Sequence, residues 1–194
     1  MKKIVSILFI ILIGFATNLL AEGSQSIKRI SVGEKNAKIT IIAYESLTCG
    51  HCADFHKNVY PNLKKDFIEK GLVRIEFRHF PLDIAAFNAS KIGQCNNGGN
   101  ADVLNILYSG QKKWARGKTP EEATKYLKKF LEDEGVNLDF EKCLADKAIE
   151  DYVLNDRIEG VKKFKVNATP TIIINDKKFE KALNYKNLKK YLEK

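Results

Sequence analysis

Two cysteines, Cys49 and Cys52, stand between a β-branched run and an amphipathic one, and this arrangement narrows the fold more than any other stretch. Ile39-Thr40-Ile41-Ile42-Ala43-Tyr44 has the composition of a strand. Phe55, Val59, Leu63 and Phe67 then recur at close to helical spacing. Strand, then Cys49-Gly50-His51-Cys52, then helix reads as a redox site. Positions i and i+3 share a helical face, so the two sulfurs come within bonding reach. Cys49 falls at the helix N-terminus, where unpaired N–H groups and the macrodipole favour negative charge. The thiolate is the reactive form, so this placement activates Cys49.

Magnitudes show what else is needed. The dipole contributes about 0.3–1 kcal/mol, about 2 at most, and one pKa unit corresponds to about 1.4 kcal/mol. The dipole alone therefore lowers Cys49 by about one unit. A larger drop requires hydrogen bonds to the sulfur, and the sequence offers the His51 imidazole. Each further unit makes the disulfide a stronger oxidant by about 30 mV. Cys49 is thus expected to be the exposed nucleophile, Cys52 the buried resolving thiol and His51 the stabiliser of the thiolate, with Gly50 completing the motif.

Three other uses of these residues compete with this reading. A metal could take Cys49, Cys52 and His56 along one helical face, but no convincing fourth ligand accompanies them. Covalent haem attachment wants C-x-x-C-H, and Ala53 follows Cys52. An inert structural disulfide is the third use. The expectation is no metal and no cofactor beyond the redox-active disulfide, with His56 a surface or packing residue.

Residues 1–21 read as a secretory signal peptide. Met1-Lys2-Lys3 is basic, Ile4 to Ile13 is apolar apart from Ser6, and Ala21 closes a softer segment. An uncleaved anchor is the competing reading, because no charge stands between Lys3 and Glu22. Both readings export the remaining chain to a compartment where disulfides persist, the periplasm. Residues 22–194 suffice for one domain with a sizeable core. The net charge of +9 comes from scattered lysine pairs such as Lys64-Lys65 and Lys112-Lys113, not from a dense stripe with interleaved aromatics. Nucleic acid is therefore not an expected partner.

Ser31 to Lys38 reads as a polar lead-in, and the helix after the motif is expected to end near Lys70-Gly71. Leu72 to Arg78 alternates with period two, as a half-exposed strand does. A helical tract follows over about 83–165, with expected helices at Asp83–Gln94 and Asp102–Trp114, a third opened by Thr119-Pro120, a short fourth, and a last at Ile149–Phe164. Val166 to Asn175 returns to strand chemistry, Asn175-Asp176 turns a hairpin, and Asn184 caps a final helix. The fold class is α/β, with the order β-α-β, helical insertion, β-β-α.

Cys49-Gly50-His51-Cys52, Thr169-Pro170 ahead of a hairpin, and a helical insertion between them resemble the thioredoxin fold, and more narrowly the bacterial DsbA-like thiol:disulfide oxidoreductases. The resemblance implies that Cys49 carries the transferred disulfide, Cys52 resolves and His51 tunes. It further implies that Pro170 is cis and faces the disulfide, with the Thr169 backbone pairing to a bound client as an added strand. Two features depart from the family pattern. Gly-His between the cysteines and Thr before the proline are shared with disulfide isomerases. The buried acid that often sits six residues before the first Cys is here Ala43, with Glu45 two places later on the same strand face. Proton transfer for Cys52 and an ordinary surface salt bridge are both open to Glu45.

Cys95 and Cys143 remain, and in an exported protein they are expected to form a structural disulfide rather than stay as buried thiols. Such a bond stabilises by up to about 4 kcal/mol in the chain-entropy model. The resulting expectation is a monomeric periplasmic dithiol oxidase. It would act on reduced, unfolded exported proteins and be reoxidised by a membrane quinone reductase resembling DsbB. A disulfide isomerase or reductase is the first alternative and a metal-carrying dithiol protein the second.

Overall fold

The computed structural model describes residues 27–95 and 97–194. The signal-peptide reading of residues 1–21 lies outside them. A five-stranded sheet of order β1-β3-β2-β4-β5 carries the molecule. At its centre β2 (Ile39–Glu45) runs parallel to β3 (Val73–His79) and antiparallel to β4 (Thr171–Ile174). A strand flanked by two others and covered on both faces has no water-facing side, which accounts for the β-branched run. Ile41 and Ala43 enter the main core with Phe55 and Leu63, while Ile42 and Tyr44 enter a smaller cluster with Phe80, Phe164 and Ile173. β3 alternates as its sequence predicts: Val73, Ile75, Phe77 and His79 are buried, and Arg74, Glu76 and Arg78 are half-buried.

Four boundaries differ from the sequence expectations. The polar lead-in holds a short edge strand, β1 (Ser31–Val32), antiparallel to β3. The helix after the motif is divided into α1 (Gly50–Asn58), α2 (Tyr60–Leu63) and a π turn (Lys64–Ile68). Pro61 causes the first break, because it has no N–H for the ladder and its ring crowds the preceding turn, where Val59 swings to φ −114°. The apolar face still continues, with Phe55, Val59, Leu63 and Phe67 all buried. The third difference is that the expected strand from Val166 to Asn175 forms only as β4, since Pro170 cannot donate to a ladder. β4 returns through Asn175 and Asp176, both at positive φ, into β5 (Lys177–Lys178), the geometry of a two-residue hairpin turn.

The insertion between β3 and β4 comprises α3 (Ile84–Gln94), α4 (Asp102–Ser109), α5 (Gln111–Trp114), α6 (Pro120–Asp133), α7 (Phe140–Ala145) and α8 (Lys147–Phe164). Asp83, Thr119, Asp139 and Asp146 each accept an amide at a helix start. Asp102–Trp114, expected as one helix, breaks at Gly110, the fourth difference. A Cβ there would lie 2.0 Å from the Phe130 ring, so α6 packs directly onto this backbone. A disulfide joins Cys95, at the end of α3, to Cys143 in α7, across 48 positions of sequence. The chain closes with α9 (Tyr185–Leu192), capped by Asn184. Among the described residues no helix is long and apolar enough to cross a membrane.

Candidate active site

The chain leaves β2 at Glu45 and turns through Ser46-Leu47-Thr48 into α1, and three contacts fix this turn. The Cys49 amide donates to the Ser46 carbonyl at 3.0 Å. The Thr48 hydroxyl donates to Asp83 Oδ2 at 2.7 Å, and the other oxygen of Asp83 caps α3. Gln111, from α5, donates its side-chain amide to the carbonyls of Leu47 (2.8 Å) and Cys49 (2.9 Å). Two of the three contacts come from the insertion, which therefore holds the motif in place.

Cys49 is the N-cap residue of α1, with extended backbone (φ −77°, ψ 120°), and is half-buried. Its Sγ lies 3.4 Å from the carbonyl of Thr169, whose peptide bond to Pro170 is cis. The Cys49 pKa is pulled down to about 5. The largest cause is a hydrogen bond from the Cys52 thiol; partial burial opposes it, and the Thr169 hydroxyl and the amides of Cys52 and His51 add to it. Cys52 goes the other way. Burial pushes its thiol far up, its hydrogen bond to Cys49 adds to this, and the Glu45 charge contributes next. It is fully buried, and both cysteines are free thiols in this structure. The pair is strongly asymmetric: one sulfur ionises below neutrality and faces solvent, and the other holds its proton inside the core.

His51 acts differently from the expectation. Its contribution to the thiolate runs through its backbone amide, and its side chain is exposed. The residue lines a groove of about 490 Å³ with Phe55, Thr169, Pro170 and Tyr185, next to the half-buried sulfur. The low Cys49 pKa is instead built from the partner thiol and the residue before the proline. A Cβ on Gly50 would meet nothing within 4 Å.

Glu45 and His56 lie inside the protein, His56 in the packing role that is one of the two open to it. Glu45 forms no surface salt bridge: it is 4 % exposed, and its Oε2 lies 2.8 Å from His56 Nε2. The His56 side chain is 6 % exposed and stacks on Tyr108 at 3.9 Å between ring centroids. Two periodicities hold the signal for this pair. Glu45 shares its strand face with the buried Ile41 and Ala43, and His56 stands one helical turn after Cys52. The strand face and the helix face meet, and the carboxylate and imidazole meet with them. His56 thus turns its Nε2 toward Glu45.

Comparison with known proteins gives a consistent picture. The Thioredoxin_4 family model, described as thioredoxin, matches residues 25–194. Disulfide bond formation protein D of Bacillus subtilis is 27% identical over 191 residues, covering 91% of this chain and 82% of that protein. A Rickettsia bellii relative, provisionally named a protein-disulfide oxidoreductase, is 28% identical over 151 residues; these cover 74% of this chain but only 56% of the relative. The chain thus spans little more than half the length of that relative. Among solved structures, alpha-DsbA1 of Wolbachia pipientis superposes with a TM-score of 0.75 at 28% identity, over 85% of this chain and 89% of that one. With the family model covering the sheet, the insertion and the Cys49–Cys52 motif alike, the chain belongs to the thioredoxin family and has the DsbA-type thioredoxin fold.

Proposed function

We propose that this protein is a thiol:disulfide oxidoreductase that works as a dithiol oxidase, passing the Cys49–Cys52 disulfide to reduced, unfolded proteins. The observation that carries the reading is the asymmetry of the pair, with Cys49 drawn down to about 5 and Cys52 pushed up by burial. A client thiolate attacks Cys49 Sγ, a client–Cys49 disulfide forms, and Cys52 leaves as a thiolate that takes up a proton. A second client thiolate then attacks the client sulfur and expels Cys49 as a stable thiolate. Two electrons pass from client to protein, and the client gains one disulfide.

The low pKa favours this direction. At pH 7 an ordinary thiol is protonated, so the two units between 7 and about 5 stabilise the reduced protein and raise the potential by about 60 mV. The groove beside Thr169 and Pro170 offers the client an extended path past the sulfur. Leu82 and Ile84, 50% and 60% exposed, flank the Asp83–Thr48 contact and give unfolded chains an apolar surface close to Cys49. In this reading residues 1–21 export the chain to the periplasm, where it acts as a monomer. A quinone-coupled membrane protein resembling DsbB then restores the disulfide. Mixing the oxidised protein with a reduced, unfolded two-cysteine client tests the reading. Client disulfide should form in step with loss of the Cys49–Cys52 bond, and absence of transfer would overturn it.

A further inference from the structure

A groove of about 740 Å³ runs between α1–α2 and α4–α5, with lysines on both walls and aromatic rings beneath them. Tyr60 and Tyr108, 6% and 5% exposed, line it together with His56, whose ring stacks on that of Tyr108. Lys57 and Lys64 stand on one wall and Lys112 and Lys113 on the other, all four exposed. Lys113 is paired with Glu134, while Lys57, Lys64 and Lys112 have no carboxylate partner among the described residues. Asp54 is the one acid in the lining. Lysines on a convex helix face water separately and need no partner. Across a cleft with apolar walls their fields add, and the cleft attracts anions.

This groove begins at the redox motif. Ala53 in its lining follows Cys52, and Gln111 on the opposite wall donates to the Cys49 carbonyl. Asp54 lines this groove and the Thr169–Pro170 groove alike, so the first turn of α1 is a ridge between the two. At about 1.5 Å per helical residue, the wall from Ala53 to Lys64 is about 16 Å long, the length of about five extended residues. A small inorganic anion fills little of that length, whereas a polypeptide segment matches it. We propose that the groove binds an acidic, aromatic-bearing segment of the client protein that Cys49 is oxidising. The client cysteine meets Cys49 beside Thr169 and Pro170, and its chain crosses the ridge at Asp54. Beyond the ridge its carboxylates lie against Lys57, Lys64 and Lys112, and its ring lies on His56, Tyr60 and Tyr108. Asp54 repels a carboxylate at the crossing, so the acidic segment starts a few residues away from the cysteine.

The proposal rests on the exchange reading above and names the clients that the site selects. Reduced two-cysteine peptides serve as probes, each carrying a tract of about five residues beyond a short glycine-serine spacer. The tract alternates Glu with Phe, or has Gln or Lys in place of Glu. Oxidised full-length protein is added and the loss of peptide thiols is timed. Each transfer joins two peptide thiols in one disulfide and reduces Cys49–Cys52 to the dithiol. At low salt the Glu tract should speed transfer about tenfold over the Gln tract, and the Lys tract should slow it. The advantage should vanish in about 0.5 M salt. Carboxylates near a thiol raise its pKa and slow its own attack, so this gain has to come from the protein. Ser in place of Phe should remove several-fold of it.

Two triple variants locate the effect. Lys57→Glu, Lys64→Glu and Lys112→Glu together should abolish the Glu-tract advantage and leave the Gln-tract rate unchanged. Lys125→Glu, Lys142→Glu and Lys162→Glu, exposed on α6, α7 and α8, change the net charge equally and should keep the advantage. Equal rates for the Glu and Gln tracts overturn the proposal and leave the exchange reading standing. An advantage that survives the groove variant, or falls equally in both variants, also overturns it, the latter by assigning the effect to overall charge. A Glu tract that works as well with Ser as with Phe overturns the role of the aromatic floor. Failure to oxidise any of the peptides overturns the exchange reading, and the proposal falls with it.

Discussion

The side-chain amide of Gln111 donates to the carbonyl of Cys49 at 2.9 Å, and also to that of Leu47 at 2.8 Å. One residue of the helical insertion thus sets the backbone that presents the reactive sulfur, although 62 positions of sequence separate it from Cys49. Gly110, just before it, lets α6 close onto this point through Phe130. The insertion is therefore part of the construction of the site.

Gln111→Leu leaves the Leu47 carbonyl buried and unpaired, which costs about 1–3 kcal/mol. Chemical unfolding should record that loss in both oxidation states. Because the turn that holds Cys49 is loosened, the pH midpoint of Cys49 alkylation should also move up from about 5.

Cys49 couples stability to pH only when reduced. Its folded pKa, about 5, lies below that of an ordinary thiol, about 8.5. The extra stability is fully present above about 8.5 and is lost as pH falls through about 5. The oxidised protein has no thiol here to titrate. The reduced-minus-oxidised difference in unfolding midpoint should therefore grow as pH rises through this window; a flat difference would contradict the assigned thiolate.

Gly50→Pro should fold and gain about 0.4–1 kcal/mol by restricting the unfolded chain. Position 50 is the first residue of α1, where proline fits, and Cys49 before it is already extended. A Cβ there meets nothing, and the amides that face the Cys49 sulfur belong to His51 and Cys52. Thermal unfolding checks the gain, and alkylation of Cys49 should still show a midpoint near about 5.

Replacing Cys95 and Cys143 together by alanine opens a loop of 48 positions and should cost about 2–4 kcal/mol. Denaturant titration measures this. The bond ties α3 to α7, away from the residues that lower Cys49, so the Cys49 alkylation profile should not move.

Much of this architecture is legible in the sequence because its signals are local. The β-branched run, the motif and the alternation from Val73 to Phe77 each follow from spacing alone. Asn175-Asp176 likewise marks the hairpin, and Asp83, Thr119 and Asn184 mark helix starts. The apolar spacing of the helix after the motif runs on past Pro61, so the sequence pattern hides the break that the missing N–H makes there. Gly110 gave no sign of a break, since what makes it one is the Phe130 ring, 20 residues on. At the site, the cysteines, Thr169 and Pro170 come together as the motifs and the resemblance imply. Gln111, and the pairing of Glu45 with His56, depend on which faces meet in three dimensions. No single stretch of sequence encodes that.

The redox equilibrium of the Cys49–Cys52 pair against glutathione, read by thiol trapping, tests the central claim most directly. The account predicts a potential clearly more oxidising than the glutathione pool, because the Cys49 thiolate stabilises the reduced protein. A potential at or below that pool would contradict the oxidase and make the same pair a reductase or isomerase.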